Sequence, residues 1–182
     1  AKLPDTFENS REPKFLVEEF IGGQEFSVEG FKTPERHIAL AVSRKDQFAH
    51  NTSLDSRLVY PIADRKYDYE GLKRIQNAMM DATGLPFGIT HAEYKYFNGK
   101  FYMIEFAARG GGVNISSHII PLISGIEVTD LLLSAASGET LPDLKPKKQD
   151  CAAVLEFFLF ASGKVKAIHG LEAIQARPDV LD

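Results

Sequence analysis

Residues 90–112, THAEYKYFNGKFYMIEFAARGGG, consist of two strand-like segments joined at Asn98-Gly99. Asn and Gly accept the positive φ angles that a tight hairpin turn requires. Glu93 lies on the first segment, Glu105 lies on the second, and Arg109 immediately precedes three glycines. The stretch therefore predicts a β-hairpin with one carboxylate on each strand. We expect the other elements of the chain to support this hairpin.

The length of the turn decides whether the two glutamates share a face of the hairpin. A turn of two residues would pair Phe97 with Lys100 and place Glu93 and Glu105 on opposite faces. A turn with an odd number of residues places both on one face, and it also gathers apolar side chains on the other. We therefore predict an odd turn, with two glutamates on an uncovered face that suits Mg²⁺. The predicted apolar face consists of Ala92, Tyr94, Tyr96, Tyr102, Ile104 and Phe106.

Composition limits the class of protein. The chain has 182 residues, of which 44% are apolar and 25% charged, so it is long enough to bury a sizeable core. The net charge of −4, with both signs interspersed, argues against a nucleic-acid partner. The single Cys151 excludes an intramolecular disulfide, and no apolar run has the length of a membrane span or signal peptide. These features predict a cytoplasmic protein without a membrane partner.

Periodicity predicts strands in runs with helices between them, which indicates an α+β fold with a mostly antiparallel sheet. We expect a helix from the Asp68 N-cap to Gly84, with Leu72, Ile75, Met79 and Ala82 on its buried side. A second helical region should cover residues 121–137 and end at Gly138. Residues 47–56 lack periodicity and predict a loop. The predicted strands are residues 15–20, 24–31, 36–44, 58–62 (a short edge strand), 150–161 and 164–168.

The stretch VEEFIGGQEFSV, residues 17–28, resembles the adenine-binding linker of ATP-grasp enzymes. Without that resemblance it would read as a β-hairpin with acidic residues on the surface. The resemblance implies that Glu18 lies near the adenine amino group, that Phe20 and Ile21 contact the adenine edge through their backbones, and that Glu25 binds the ribose hydroxyls.

The hairpin is similar to the metal site of the same family. The resemblance implies that Glu93 and Glu105 hold the Mg²⁺ ions that bridge the nucleotide phosphates, and that Arg109 faces the transferred phosphoryl group. Many members of the family carry an Asn two residues after the second acid, where this chain has Ala107. Because alanine cannot bind a metal, one of the Mg²⁺ ions would have one protein ligand fewer, unless Asn114 supplies that ligand.

Residues 125–141, GIEVTDLLLSAASGETL, resemble the helix and turn that follow the metal acids in carboxylase and carbamoyl-phosphate-synthase relatives. The resemblance implies that residues 1–145 form the C-terminal half of an ATP-grasp domain and that 146–182 begin a C-terminal appendage packed on it. Only 14 residues precede Phe15, with no glycine-rich loop to hold phosphates. We therefore expect a piece of a longer polypeptide that is inactive alone.

The function implied by the resemblance is that of an ATP-dependent ligase using Mg²⁺, which activates a carboxylate as an acylphosphate and joins it to an amine. Its partners would be small-molecule carboxylate and amine substrates and a second copy in a homodimer. Two alternatives stay open. One is a relative of biotin carboxylase or carbamoyl-phosphate synthase that phosphorylates bicarbonate or carbamate, and the other is a non-catalytic nucleotide-binding module.

Overall fold

A computed structural model describes residues 15, 17–60, 65–147 and 150–181. Within them the strands form one six-stranded sheet in the order β5-β4-β1-β2-β3-β6, and every neighbouring pair is antiparallel. The α+β fold with a mostly antiparallel sheet is thus confirmed. The strands are β1 (Gln24–Lys32), β2 (His37–Phe48), β3 (Asn51–Tyr60), β4 (Gly88–Phe97), β5 (Lys100–Ala107) and β6 (Ala153–Glu156). The helices are α1 (Tyr69–Ala82), α2 (Ile120–Ser124), α3 (Val128–Ser137) and α4 (Leu171–Gln175), and a π-helical turn (Ile115–Ile119) precedes α2.

Helix α1 begins where the sequence predicts. The Asp68 carboxylate accepts a hydrogen bond from the Gly71 amide at 2.8 Å, which satisfies one of the free N–H groups of the first turn. The buried side of the helix is rotated from the predicted one. It consists of Leu72, Gln76 and Met80, whereas the predicted Ile75, Met79 and Ala82 are exposed.

The two faces of the sheet carry different side chains. Along β1, Phe26 and Val28 alternate with Glu25, Ser27 and Glu29, so the two sets point to opposite faces. The aromatic and aliphatic set packs against α1. On the other face, the π-helical turn, α2 and α3 cover an apolar core at one end of the sheet. The polar side chains of β1 lie beside that core, on the part of the face where the site is found.

The predicted odd turn of the β4–β5 hairpin is wrong, although its consequence for the glutamates is right. Phe97 pairs with Lys100, and both Asn98 and Gly99 have positive φ angles, of 49° and 81°, as a two-residue turn requires. The register then shifts by one residue between Tyr94 and Glu93. The partner of Tyr94 is Met103 and that of Glu93 is Glu105, so Ile104 is the extra residue of a β-bulge.

The bulge also corrects the predicted apolar face of the hairpin. Tyr102 pairs with Lys95 on the polar face, and Ile104 is exposed at the bulge. Phe101 and Met103 take their places beside the aromatic core, and Ala92, Tyr94, Tyr96 and Phe106 lie there as predicted.

Several predicted boundaries also differ. The described part of residues 15–20 forms no strand, and residues 51–60 form β3 instead of a loop and an edge strand. β3 is an inner strand, between β2 and β6; the predicted positions 61 and 62 lie outside the described residues. The helical region is broken at Gly125, and α3 ends at Gly138 in the left-handed conformation, as predicted. Of the two predicted C-terminal strands, only β6 is present in the described residues.

The C-terminal stretch contributes one strand to the sheet. β6 pairs with β3, whereas every side chain described from residue 158 to residue 179 is exposed. The division into 1–145 and 146–182 stays a prediction. Within the described ranges no single helix has the length and apolarity to cross a membrane; residues 115–124 and 128–137 meet that test only jointly, as a pair bent by 106°.

Candidate functional site

A polar groove of about 640 Å³ lies on the open part of the sheet face. Its volume falls in the range of small-molecule sites. Strands β1 to β5 all contribute to it, and Phe20 and Gly23 from the preceding segment close one side. The lining residues are Phe20, Gly23, Glu25, Lys45, Gln47, Thr52, Ser53, Asp55, Glu93, Lys95 and Ile104.

The Lys45 side chain is the charged centre of this groove. Its Nζ lies 2.7 Å from Glu25 Oε1, 2.8 Å from Glu93 Oε1 and 3.0 Å from Asp55 Oδ2, and the side chain is only 6% exposed. Burial opposes the charged ammonium, but these carboxylates outweigh burial and raise the pKa of Lys45. Burial raises the pKa of the Asp55 carboxyl, although Lys45 opposes that change. One cation thus joins acidic side chains of three different strands.

The Glu93 carboxylate lies between two basic side chains. His91 Nε2 is 3.4 Å from Glu93 Oε1, and the same oxygen lies 2.8 Å from Lys45 Nζ. The hydrogen bond from His91, with the contribution of Lys45, lowers the pKa of Glu93 to about 2 despite its partial burial. For His91, burial favours the neutral ring, but Glu29 and Glu93 outweigh it and raise the pKa to about 9. Each ring nitrogen lies beside a carboxylate oxygen, an arrangement that suits a ring protonated on both nitrogens.

Glu93 and Glu105 form the candidate metal site. They pair directly across β4 and β5, so their side chains share a face, and Glu105 is exposed. Among the described residues no group of three or more His, Cys, Asp or Glu side chains is placed to hold a metal. Mg²⁺ needs fewer protein ligands, since one or two carboxylates together with substrate phosphates and water complete its shell. Two carboxylates on one face of the hairpin fit that requirement, and Glu93 and Glu105 are the residues that would hold the ion.

The predicted phosphate-binding residue lies just past β5. Arg109 is exposed, and its Nη1 donates to the Gly110 carbonyl at 3.0 Å. Gly111 lies against the sheet, where a side chain would place a Cβ only 3.1 Å from Glu29 Oε2. Asn114 starts the π-helical turn in the left-handed conformation. Its role as a replacement metal ligand stays a prediction.

The predicted adenosine-binding residues fall into two groups. Phe20 and Glu25 line the groove, where Lys95 Nζ lies 5.1 Å above the Phe20 ring. Glu18 is exposed and Ile21 half-buried, and neither is among the residues that line the groove. The structure therefore brings together Phe20, Glu25 and Glu93, with Glu105 on the adjacent strand.

Sequence reasoning missed the basic and acidic partners of these residues, namely Glu29, Lys45, Asp55 and His91. Alternation offered a signal for some of them. Polar side chains occupy every second position in Glu25-Phe26-Ser27-Val28-Glu29 and in His91-Ala92-Glu93-Tyr94-Lys95. Such a pattern predicts a sheet with one polar face. Asp55 had no such signal, because its strand lacks a regular alternation.

Comparison with known proteins places the chain in a family. A model of the ATP-grasp domain matches residues 3–117, more than half of the chain. The chain belongs to the ATP-grasp domain family. It is 29% identical over 116 residues to a D-alanine–D-alanine ligase of Pelagibacter ubique, which covers 61% of this chain and 37% of the relative.

Solved structures show the same fold. An L-amino acid ligase from Bacillus licheniformis superposes with a TM-score of 0.69 and 25% identity, over 87% of this chain and 41% of the other. Biotin carboxylase from Campylobacter jejuni shares the fold at a TM-score of 0.59 and 17% identity, over 75% of this chain and 30% of that one. The chain thus spans less than half the length of each of these proteins.

Proposed function

We propose that this chain is the part of an ATP-grasp ligase that binds Mg-ATP. The observation that carries the proposal is the direct pairing of Glu93 with Glu105 beside a groove that contains Glu25 and Lys45. Glu25 receives the ribose hydroxyls, as carboxylate oxygens accept hydrogen bonds from hydroxyl groups. Phe20 lies at the same end of the groove, where it meets the adenine.

The second part of the proposal concerns the phosphates. Glu93 and Glu105 hold Mg²⁺, which when bound neutralises phosphate charge and aligns the reacting oxygens. Arg109 contacts the transferred phosphoryl group, since a guanidinium donates to two phosphate oxygens at once. Lys45 provides a further positive charge at the floor of the groove.

The reaction we propose for the complete enzyme has two steps. A substrate carboxylate oxygen forms a bond to the γ-phosphorus of ATP, the bond from that phosphorus to the β,γ-bridging oxygen breaks, and ADP leaves. An amine nitrogen then forms a bond to the acyl carbon, phosphate leaves with the electrons of the C–O bond, and the nitrogen loses a proton. The similarity to ligases named for D-alanine and for L-amino acids supports a carboxylate and an amine as substrates.

Two other functions remain as alternatives. The likeness to biotin carboxylase concerns the fold alone, so it favours no bicarbonate or carbamate substrate. A specific observation favours a non-catalytic nucleotide-binding module: Ala107 lies opposite His91 on the site's side of the hairpin, and its methyl group offers no metal ligand. ATP hydrolysis or product formation by the complete protein separates that module from an enzyme.

The test is the binding of a non-hydrolysable ATP analogue in Mg²⁺, measured by fluorescence anisotropy. We expect Glu105→Gln to weaken Mg²⁺-dependent binding roughly tenfold or more, because it removes a charged ligand. Arg109→Ala should weaken binding by roughly 10- to 100-fold through the loss of charged hydrogen bonds. Glu139→Gln and Arg65→Ala, at exposed positions outside the groove, are the matched controls. Unchanged binding in both site variants would overturn the proposal.

A further inference from the structure

Glu29 is a buried carboxylate that the proposed function does not use. It is 0% exposed. Its Oε1 accepts a hydrogen bond from Ser27 Oγ at 2.9 Å and lies 2.8 Å from His91 Nδ1. Among the described residues, none lies within hydrogen-bond geometry of Oε2, although the Tyr60 hydroxyl, whose pKa is raised by burial and by this carboxylate, is nearby. A buried carboxylate with an unpaired oxygen destabilises a fold, so its presence calls for a role outside packing.

The His91 ring connects this buried carboxylate to the candidate metal site. Nδ1 is held by Glu29, and Nε2 reaches Glu93 Oε1 at 3.4 Å. Lys45 meets the same oxygen of Glu93 at 2.8 Å. Both contacts that described residues make with this carboxylate therefore go to Oε1. The other oxygen, Oε2, is left for a ligand on the face that Glu93 shares with Glu105.

We propose that Glu29 and His91 are positioning residues that fix the orientation of Glu93 so that its Oε2 meets the metal. The inference rests on the proposed function, in which Glu93 is a metal ligand. Glu29 orients the ring, the ring holds one oxygen of Glu93, and the second oxygen faces the cation. Groups hydrogen-bonded to metal ligands act in this way in many sites, and their replacement typically weakens metal binding 10- to 100-fold.

The glycine after Gly110 supports this arrangement. Gly111 lies over Glu29, and a Cβ at that position would be 3.1 Å from Glu29 Oε2 and 3.0 Å from Ile115 Cγ2. Glu29 is 0% exposed, and Gly111 leaves no room for a side chain beside its carboxylate. This close packing favours one orientation of Glu29 and therefore of the His91 ring that it contacts.

The experiment measures how much Mg²⁺ is needed for the ATP analogue to bind. Glu29→Gln keeps the volume of the side chain and an oxygen for Ser27 and Nδ1 of His91, but it removes the charge that orients the ring. We expect the Mg²⁺ concentration at half-maximal binding to rise roughly 10- to 100-fold. Binding should recover at high Mg²⁺, because the residues that contact the nucleotide are intact. His91→Leu should raise the Mg²⁺ requirement as well, and it serves if Glu29→Gln fails to fold.

The matched control is His37→Leu. His37 is also a buried histidine with two polar partners, Asn77 and Thr90, but it does not contact the groove. The His37→Leu substitution should lower the unfolding temperature without changing the Mg²⁺ requirement. An unchanged Mg²⁺ requirement in folded Glu29→Gln or His91→Leu would overturn the inference, and so would an equal change in His37→Leu.

A fourth variant separates this inference from the function on which it rests. Glu93→Gln should raise the Mg²⁺ requirement at least as far as Glu29→Gln does. If Glu93→Gln has no effect, the proposed metal site itself is wrong and the inference falls with it. If Glu93→Gln has the expected effect and the Glu29 and His91 variants have none, only the positioning role is wrong.

Discussion

The ammonium of Lys45 lies between the residue proposed for the ribose, Glu25, and the residue proposed for the metal, Glu93. Asp55 is its third partner, so three carboxylates surround one buried cation. Under the proposed function, a nucleotide with its metal would give Glu25 and Glu93 new partners. Asp55 would then be the carboxylate that still pairs with Lys45, at 3.0 Å.

Replacement of Lys45 by Met should therefore affect stability as well as binding. At neutral pH the variant leaves buried carboxylates without their cation, and the loss of one partner of a buried pair destabilises by about 3–5 kcal/mol. The loss should shrink at pH 5, because Asp55, whose pKa is already raised by burial, takes up a proton more readily. Urea denaturation at both pH values measures the change.

The control for Lys45 is Lys73→Met. Lys73 forms an exposed ion pair with Glu70 at 2.9 Å, and such pairs contribute only about 0–1 kcal/mol. A loss of stability in Lys45→Met no larger than that of Lys73→Met would contradict the central position assigned to Lys45.

Three acids of the site were predicted from the sequence, but the central cation, Lys45, was not. Glu25, Glu93 and Glu105 occur at positions that a family pattern marks. Lys45 occurs in the charged run Ser43-Arg44-Lys45-Asp46, which has the composition of a solvated strand end. It is buried only because β1 and β4 bring Glu25 and Glu93 to it, and that depends on strand order, which local pattern does not reveal.

At the scale of secondary-structure elements, a buried histidine joins helix α1 to the sheet. His37 Nδ1 lies 2.8 Å from Asn77 Oδ1 on α1, and Nε2 lies 2.7 Å from Thr90 Oγ1 on β4. Burial lowers the pKa of His37 below its ordinary value of 6.5, against smaller opposing effects of Asn77 and Asp81. The folded protein therefore prefers the neutral ring at this position.

This preference predicts a pH dependence of stability. Below pH 6.5 the unfolded chain binds a proton at His37 more readily than the folded protein does. The contribution to stability is thus present above that pH and is lost as the pH falls below it, by at most about 1.4 kcal/mol per pH unit. Between pH 6.5 and 5, the free energy of unfolding of His37→Gln, measured by urea denaturation, should fall less than that of the parent. His118→Gln, at an exposed position, should keep the parent's slope, and identical slopes in all three proteins would contradict the assignment.

The β4–β5 hairpin shows how far elements can be predicted from pattern. The positions of both strands and the turn at Asn98-Gly99 follow from local sequence. The register does not, because an odd turn and a two-residue turn with a bulge at Ile104 place Glu93 opposite Glu105 equally well. Pattern predicted the shared face of the two acids and could not distinguish the two routes to it. The bulge is visible only in the pairing of the strands.

For the whole molecule, the order of the strands explains why the site is on one sheet face. β1 lies inside the sheet, with the β4–β5 hairpin on one side and β2, β3 and β6 on the other. Residues 51–56 of β3 were predicted as part of a loop because Thr52, Ser53 and Asp55 line the groove and replace the apolar residues of an ordinary strand. Failure to recognise this part of β3 from its pattern thus has a physical cause, which is that it lines the site.

The last prediction concerns the C-terminal segment of this chain. Every side chain described from residue 158 to residue 179 is exposed, whereas Phe157 still packs against the core. Deletion of residues 158–182 should therefore change stability by no more than surface substitutions do, and shift the unfolding temperature by roughly 1–2 °C. Leu131→Ala, at a position 9% exposed in the core, should lower that temperature by roughly 4–20 °C, since it removes about 2–5 kcal/mol. Thermal unfolding followed by circular dichroism compares the two, and a fall on deletion as large as that of Leu131→Ala would show that the segment stabilises the sheet.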